Sequence, residues 1–280
     1  MNSISASGTV RRPAIRYPKT PMVEETDVLA VEEPLEVRFR IGGGQEKPAG
    51  ILMRTPVHDD WLAAGYLYTE GILKSGGWIS KISGGSGGQH ATGNTITVQI
   101  SEENGPAPAL EYGARLVNSS CGVCGKGSIN EVFIRSGRII RSGVRVKPEV
   151  LTSLPEKLRH NQYIFSETGG LHAAGLFRPD GELVVAAEDV GRHNAVDKVI
   201  GYCILNNVPM GEGILQVSGR SGFEIVQKAA VAGIPIVSAV SAPSSLAVDL
   251  CESLGITLAC FVREGRFNAY TNIMRIDFPR

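Results

Sequence analysis

The chain has 280 residues, enough to bury a substantial core in one large or two smaller domains. Its 28 basic side chains balance 28 acidic ones, so bulk charge points neither to nucleic acid nor to an anionic membrane surface. No uncharged run approaches the roughly 20 apolar residues that cross a bilayer, and Met1 to Thr20 has no apolar signal-peptide core, so a soluble protein without a membrane partner is expected.

In chain order, residues 1–24 read as a flexible tail, broken at Pro13, Pro18 and Pro21 and carrying Arg11, Arg12, Arg16 and Lys19. Leu35 to Ile41 alternates apolar and charged residues as a half-buried strand does, Gly42-Gly43-Gly44 turns it, and Gly50 to Arg54 is its expected partner. His58 to Leu73 has a helical stripe through Trp61, Ala64, Leu67 and Tyr68. A glycine loop at residues 84–88 precedes a second alternating strand at Asn94 to Ser101. Ser120-Cys121-Gly122-Val123-Cys124-Gly125-Lys126-Gly127 follows, and then a strand-like run at Glu131 to Arg135.

From Pro148 the pattern changes. Pro148 to Phe165 is mostly helical, and His172 to Phe177 and Glu182 to Ala187 read as strands joined at Pro179-Asp180-Gly181. Arg192 to Asn206 is a helix with Ala195, Val199 and Cys203 on one face. Strands at Gly213 to Val217, Pro235 to Val240 and Ile256 to Val262 then alternate with helices at Gly222 to Ala232 and Ser244 to Leu254. This alternation predicts parallel strands with crossover helices. The fold class is α/β (α+β overall), with a boundary near residue 147 between an α+β domain (25–147) and an α/β domain (148–280).

Ligands of open parallel sheets bind beyond the carboxyl ends of the strands, where helix N-termini point. Three segments meet that description: Ser218-Gly219-Arg220-Ser221-Gly222, Ser241 to Ser245, and Arg263-Glu264-Gly265-Arg266. Hydroxyls, free backbone N–H groups and guanidinium forks suit a phosphate or pyrophosphate, although each loop is also explained by helix caps and solvated arginines. Glu188 to Asn194 holds more polar groups than capping needs, and Arg192 and His193 reach for an anion. Glu167 and His172, flanking Gly169-Gly170, read equally as structural or as acid–base groups.

The five cysteines make a poor disulfide framework, and a reducing cytoplasm is the simpler setting. Cys203, Cys251 and Cys260 sit in apolar runs, as small buried hydrophobes do. Cys121 and Cys124 lie in a glycine-rich loop beside Lys126, a setting that favours the thiolate. Structural zinc needs four ligands, and a deaminase-type zinc site needs a His-x-Glu that is absent from the sequence. A thioredoxin-like pair belongs at a helix start in a βαβ unit. Sulfur transfer through a persulfide, metal binding and redox chemistry therefore stay open, with sulfur transfer favoured.

Cys121-Gly-Val-Cys124-Gly, Phe165-Ser-Glu-Thr-Gly-Gly-Leu-His172, the run Glu188 to Lys198, Ser218-Gly-Arg220 and Ile256 to Arg266 resemble, in order, the formate dehydrogenase accessory sulfurtransferases (the FdhD/NarQ family). The resemblance implies a cytoplasmic homodimer whose C-terminal core is similar to the cytidine deaminase fold. It implies that sulfur arrives from a cysteine desulfurase as a persulfide and passes to the molybdenum cofactor, in its bis-molybdopterin guanine dinucleotide form, before insertion into formate dehydrogenase. By this likeness Cys121 carries the persulfide with Cys124 assisting, and Phe261, Val262, Arg263, Glu264, Gly265 and Arg266 lie at the cofactor site. GDP or another guanine nucleotide is expected to mimic the ligand. Its pyrophosphate suits Arg220, Arg263 and Arg266, with Ser218, Gly219 and Ser241 nearby and Arg192 and His193 lining the pocket or stabilising the core. A non-catalytic cofactor-binding chaperone is the alternative, and a zinc-dependent hydrolase a third.

Overall fold

The computed structural model describes residues 8–15, 24–85, 93–102, 116–117 and 139–279. The N-terminal half contributes strands β1 (Thr9–Ile15), β2 (Glu24–Ala30), β3 (Glu33–Ile41) and β4 (Lys47–Arg54), helix α1 (Asp59–Thr69), and strands β5 (Ile79–Gly84), β6 (Thr95–Ile100) and β7 (Leu116–Val117). The C-terminal half contributes helices α2 (Pro148–Arg159) and α3 (Tyr163–Thr168), strands β8 (His172–Phe177) and β9 (Leu183–Asp189), then α4 (Arg192–Leu205), β10 (Ile214–Val217), α5 (Phe223–Val231), β11 (Ile236–Ala239), α6 (Ser245–Leu254), β12 (Thr257–Arg263) and β13 (Arg266–Thr271).

The five-stranded sheet has the order β5-β6-β3-β4-β7, and the six-stranded sheet the order β13-β12-β11-β10-β8-β9. The alternation-based expectation of parallel central strands holds: β10, β11 and β12 pair in parallel, while the hairpin β8–β9 joins antiparallel on one side and β13 on the other. All four residues of β10 and of β11 are buried, as strands covered on both faces must be.

Two differences from the sequence reading have electrostatic and turn-geometry causes. Within the stretch expected to be tail, Thr9–Ile15 forms a strand against β2, in a register that sets Arg12 opposite Asp27 and Ala14 opposite Glu25. A basic strand facing an acidic one gains from cross-strand charge pairing that neither shows alone. Arg263 to Arg266, expected as a loop, is a tight hairpin in which Arg263 and Arg266 pair and Gly265 takes φ 72°. Only a residue without a β-carbon adopts that conformation freely.

One hydrophobic core runs through both halves. Leu35 and Val37 of β3, Leu62 and Leu67 of α1, Val196 and Ile200 of α4, and Leu176 of β8 are all essentially inaccessible within it. α4 is buried around most of its circumference, His193, Asn194, Asp197 and Lys198 included, because it lies between α1 and the six-stranded sheet. α1 and α4 touch through Gly65 and Gly201: a β-carbon on Gly65 would strike the Asp197 carbonyl, and one on Gly201 the Trp61 carbonyl. The opposite face of the large sheet is covered by α2, whose Leu151, Leu154 and Leu158 pack on Phe177, Ile214 and Ile236.

Buried ion pairs bridge the same junction. Lys198 Nζ lies 2.6 Å from Asp189 Oδ2 and donates to the carbonyls of Thr55 (3.0 Å) and Glu188 (3.1 Å). Asp189 also accepts from the backbone of Thr55 and Gly191 and from Asn194 Nδ2, which donates to the Met53 carbonyl as well. Lys228 of α5 reaches both carboxylate oxygens of Asp197 at 2.8 Å, and Thr69 of α1 donates to the same group. Arg54 holds Asp59 through two hydrogen bonds of 3.0 Å.

Candidate functional site

The carboxyl ends of β10, β11 and β12, the C-terminus of β9 and the first residue of β8 share one edge of the six-stranded sheet. The loops there are stitched together by backbone: Ser241 N donates to Gly219 O (3.3 Å), Ser221 N to Ala242 O (3.2 Å), Ser244 N to Ser221 O (3.1 Å) and Phe261 N to Ser241 O (3.2 Å). A ligand would therefore meet a single preformed rim.

Positive charge collects at this rim. His172 opens β8, Arg192 and His193 open α4, and Arg220 follows β10. Burial pushes the proton affinity of His172 down, and the neighbouring Arg192, His193 and Arg220 push it further, against a smaller opposing pull from Asp189. The imidazole is thus neutral at pH 7 in a field that favours anions.

Two buried polar atoms at the rim have no hydrogen-bond partner among the described residues: Ser221 Oγ and His193 Nε2. Glu224 Oε2 stands 3.7 Å from that nitrogen, at ion-pair distance, and this long contact with the histidine is the main cause that holds Glu224 down to about 2. Unsatisfied buried donors are costly, and a ligand that accepts from them removes the cost. The first backbone N–H groups of α4 open onto the same region, so the arrangement suits a phosphoryl or carboxylate oxygen.

The remaining sequence-derived candidates divide. Ser218 is at the rim, but its hydroxyl accepts from Ala173 N at 2.9 Å and closes the strand end. Gly219 lies against His172, where a β-carbon would come within 3.4 Å of Nδ1. Ser241 supplies its backbone to both neighbouring loops. Phe261 is an exposed aromatic held at φ 54°, at an irregularity in the β12–β13 pairing. A bulky residue in that conformation is strained. Val262 departs from expectation: it is fully buried in the core on the α2 side beside Ala259, because the irregularity at Phe261 breaks the strand's alternation and shifts its phase by one residue. Arg263, Glu264, Gly265 and Arg266 form the exposed hairpin tip.

Cys121 and Cys124 lie outside the described residues. The segment that holds them continues from β7, which pairs in parallel with β4 so that Val117 lies beside Leu52. The next residue of β4, Met53, receives the Asn194 hydrogen bond in the first turn of α4. Cys203, Cys251 and Cys260 are free and buried, and burial raises all three thiols, those of Cys203 and Cys260 to about 12. They are inert as nucleophiles. Among the described residues no cluster of three His, Cys, Asp or Glu side chains could hold a metal, and no helix is long and apolar enough to cross a membrane.

Sequence reasoning named Ser221 only within its loop, and Asp189 and Asn194 only as polar or capping residues, and did not join these two to Lys198 as one buried set. The signal for the latter was present: an acid, an amide and a lysine at the end of an apolar strand and on one face of the helix that follows.

The family model of the FdhD/NarQ family matches residues 30–277. A protein of Thermoplasma volcanium named sulfur carrier protein FdhD is 56% identical over 254 residues, 91% of each chain. A Streptomyces coelicolor protein of the same name is 44% identical, covering 96% of this chain and 95% of its own. The crystal structure of a protein from Desulfotalea psychrophila, described as a formate dehydrogenase accessory protein, shares the fold with a TM-score of 0.74 at 24% identity, over 96% of this chain and 99% of that one. With its mixed sheets, its charged rim and these relatives at 91% coverage and more, the chain belongs to the FdhD/NarQ family.

Proposed function

We propose that this protein is a cytoplasmic sulfur carrier serving formate dehydrogenase, and that its rim binds the molybdenum cofactor, as bis-molybdopterin guanine dinucleotide, as the substrate to be sulfurated. The observation that carries the reading is the rim where the cations Arg192 and Arg220 stand beside His172 and His193, with its two unsatisfied polar atoms, one strand away from where the chain leads into the Cys121–Cys124 segment. Cys121 is four positions beyond Val117, a chain length of at most about 14 Å. The relatives' name supports the sulfur-carrier role.

The chemistry is thiol exchange. The Cys121 thiolate attacks the terminal sulfur of a desulfurase persulfide. The S–S bond breaks, the donor cysteine leaves as a thiolate, and Cys121 holds a persulfide with no net redox change. For delivery, Cys124 attacks the inner sulfur of that persulfide. A Cys121–Cys124 disulfide forms and hydrosulfide leaves, so the two cysteines supply the electrons that convert sulfane sulfur to sulfide. Hydrosulfide, with one proton from solvent, then exchanges for an oxo group on the cofactor, releasing water, and cellular thiols reduce the disulfide. At the rim, Arg192, Arg220, Ser221 and His193 hold phosphoryl oxygens, and the outward Phe261 ring stacks on a base or pterin. Arg263 and Arg266 on the hairpin tip approach the outer end of the ligand, and a second copy of the chain completes a homodimer. The same reading assigns the α/β core to the cytidine deaminase-like class, supported by its mixed order of parallel centre and antiparallel hairpin edge.

The test is persulfide loading. Incubation with a cysteine desulfurase and cysteine adds one reductant-labile sulfur to the wild type and none to Cys121→Ala, whereas Cys124→Ala loads but releases no sulfide. Full loading of Cys121→Ala refutes the assignment. A cofactor chaperone without sulfur chemistry would instead leave maturation of formate dehydrogenase intact in Cys121→Ala.

A further inference from the structure

A cavity of about 380 Å³ lies at the end of β9, between the start of α3 and the turn that precedes α1. That volume is at the low end for ligand sites, suited to one small molecule or one side chain. Val57, Ile164 and Ala187 give it an apolar floor, and Asn161, Tyr163, His58, Glu167 and Glu188 give it a polar wall. Both formal charges on that wall are negative.

The nearby cations are engaged elsewhere. Arg159 stacks on the Phe165 ring at 4.5 Å and donates to Ser166, and Lys198 is held by Asp189 and two carbonyls. Glu188 accepts from the backbone of Ile164 (2.9 Å) and Phe165 (2.8 Å), and each of its oxygens keeps a second lone pair. Burial raises the proton affinity of Glu188 against the opposing pull of these two donors and of the Arg159 and Lys198 charges. His58 lies flat on Trp61 (centroids 3.8 Å apart, 6° between planes) in a left-handed backbone conformation, and burial with Lys198 nearby lowers its proton affinity, leaving it neutral at pH 7. Tyr163 is 72% exposed, an aromatic at the mouth with almost no packing of its own.

We propose that this cavity is a second binding site, for an alkyl guanidinium or alkyl ammonium group, whose charge meets Glu167 and Glu188 while its stem lies on Ile164 under the Tyr163 ring. Acid pair, apolar floor and aromatic rim match such a group in each part, and an anion or a neutral hydrocarbon would leave the carboxylates unmatched. The group is carried either by a free small molecule or by an arginine or lysine of a partner protein.

The experiment is titration of the full chain, followed by NMR or calorimetry, with N-acetyl-arginine amide, with its uncharged isostere N-acetyl-citrulline amide, and with agmatine. The arginine compound should bind saturably and the citrulline compound about fivefold more weakly, with Glu167→Gln closing the gap. Tyr163→Ala should weaken both compounds. Preference for agmatine over the capped arginine identifies a free small molecule, and the reverse a partner's side chain. Equal binding of arginine and citrulline, no saturable binding by any probe, or an unaltered gap in Glu167→Gln overturns the proposal. Glu167 is solvent-facing, so the last variant folds normally and the result is readable.

Discussion

Replacing Lys198 by methionine is the most direct test of how the two halves are held together. Both Lys198 and Asp189 have fully buried side chains, and the ammonium is the positive partner of that carboxylate at 2.6 Å. Deleting one member of a buried pair costs about 3–5 kcal/mol, because the surviving charge has no water to turn to. Asp189 keeps donors from Thr55 N, Gly191 N and Asn194, which places the loss near the lower figure, about 3 kcal/mol. The carbonyls of Thr55 and Glu188 lose a donor too, adding about 1 kcal/mol. Against a total stability of about 5–15 kcal/mol this is a large fraction, and at about 2–4 °C per kcal/mol the melting temperature falls by roughly 8–16 °C. Thermal and urea melts of Lys198→Met, Asp189→Asn and the double variant form the assay. The double variant should recover at least about 1 kcal/mol relative to Lys198→Met, since it removes the stranded charge. A Lys198→Met protein melting within about 2 °C of wild type, or a double variant no better than the single, refutes the reasoning.

Two further expectations rest on other contacts. Gly65→Ala gains helix propensity of up to about 1 kcal/mol but drives a methyl into the Asp197 carbonyl, so a net loss of about 1–3 kcal/mol is expected, and a raised melting temperature would disprove the close crossing. In acid, Glu224 is held at about 2, below its ordinary 4.5, so its stabilisation is full above about 4.5 and disappears as pH falls towards about 2. His172, whose proton affinity is lowered, starts a shallower decline as pH falls through about 6.5, its unfolded value. Glu224→Gln should flatten the steep part of the stability–pH curve and leave the shallow part, as followed by urea midpoints from pH 7 to 3.

Much of the architecture was legible because its signals are local. Ser244 and Gly255 bracket α6 as cap residues, with Ser244 Oγ accepting from Ala247 N and Gly255 in the left-handed conformation at φ 72°. Pro179-Asp180-Gly181 turns β8 into β9, and the short apolar runs at Ile214–Val217 and Ile236–Ala239 became buried parallel strands. The β1–β2 pairing was not legible, since it depends on charges brought together across a gap in sequence. Nor was the division of labour within Glu188 to Lys198. Asp189, Asn194 and Lys198 point into the junction with β4, whereas Arg192 and His193 face the rim, and helical phase around a partner not yet placed decides which is which. The position of Val262 was not legible, since the irregularity at Phe261 reverses the alternation that the sequence shows. Within its loop Ser221 could not be told from Ser218, because an unsatisfied hydroxyl is a property of its surroundings and not of its residue type.

The glycine-on-glycine crossing of α1 and α4 also constrains how the chain is born. α1 emerges from the ribosome more than a hundred residues before α4, its counterpart at Gly201, exists. Until then Leu62, Leu67 and the inner face of β3 have no cover, and their burial waits on contacts that are distant along the chain. Nascent N-terminal fragments should therefore be clients of chaperones, and truncations ending before Leu205 should be insoluble, which makes the last half of translation the moment at which the molecule commits to its shape.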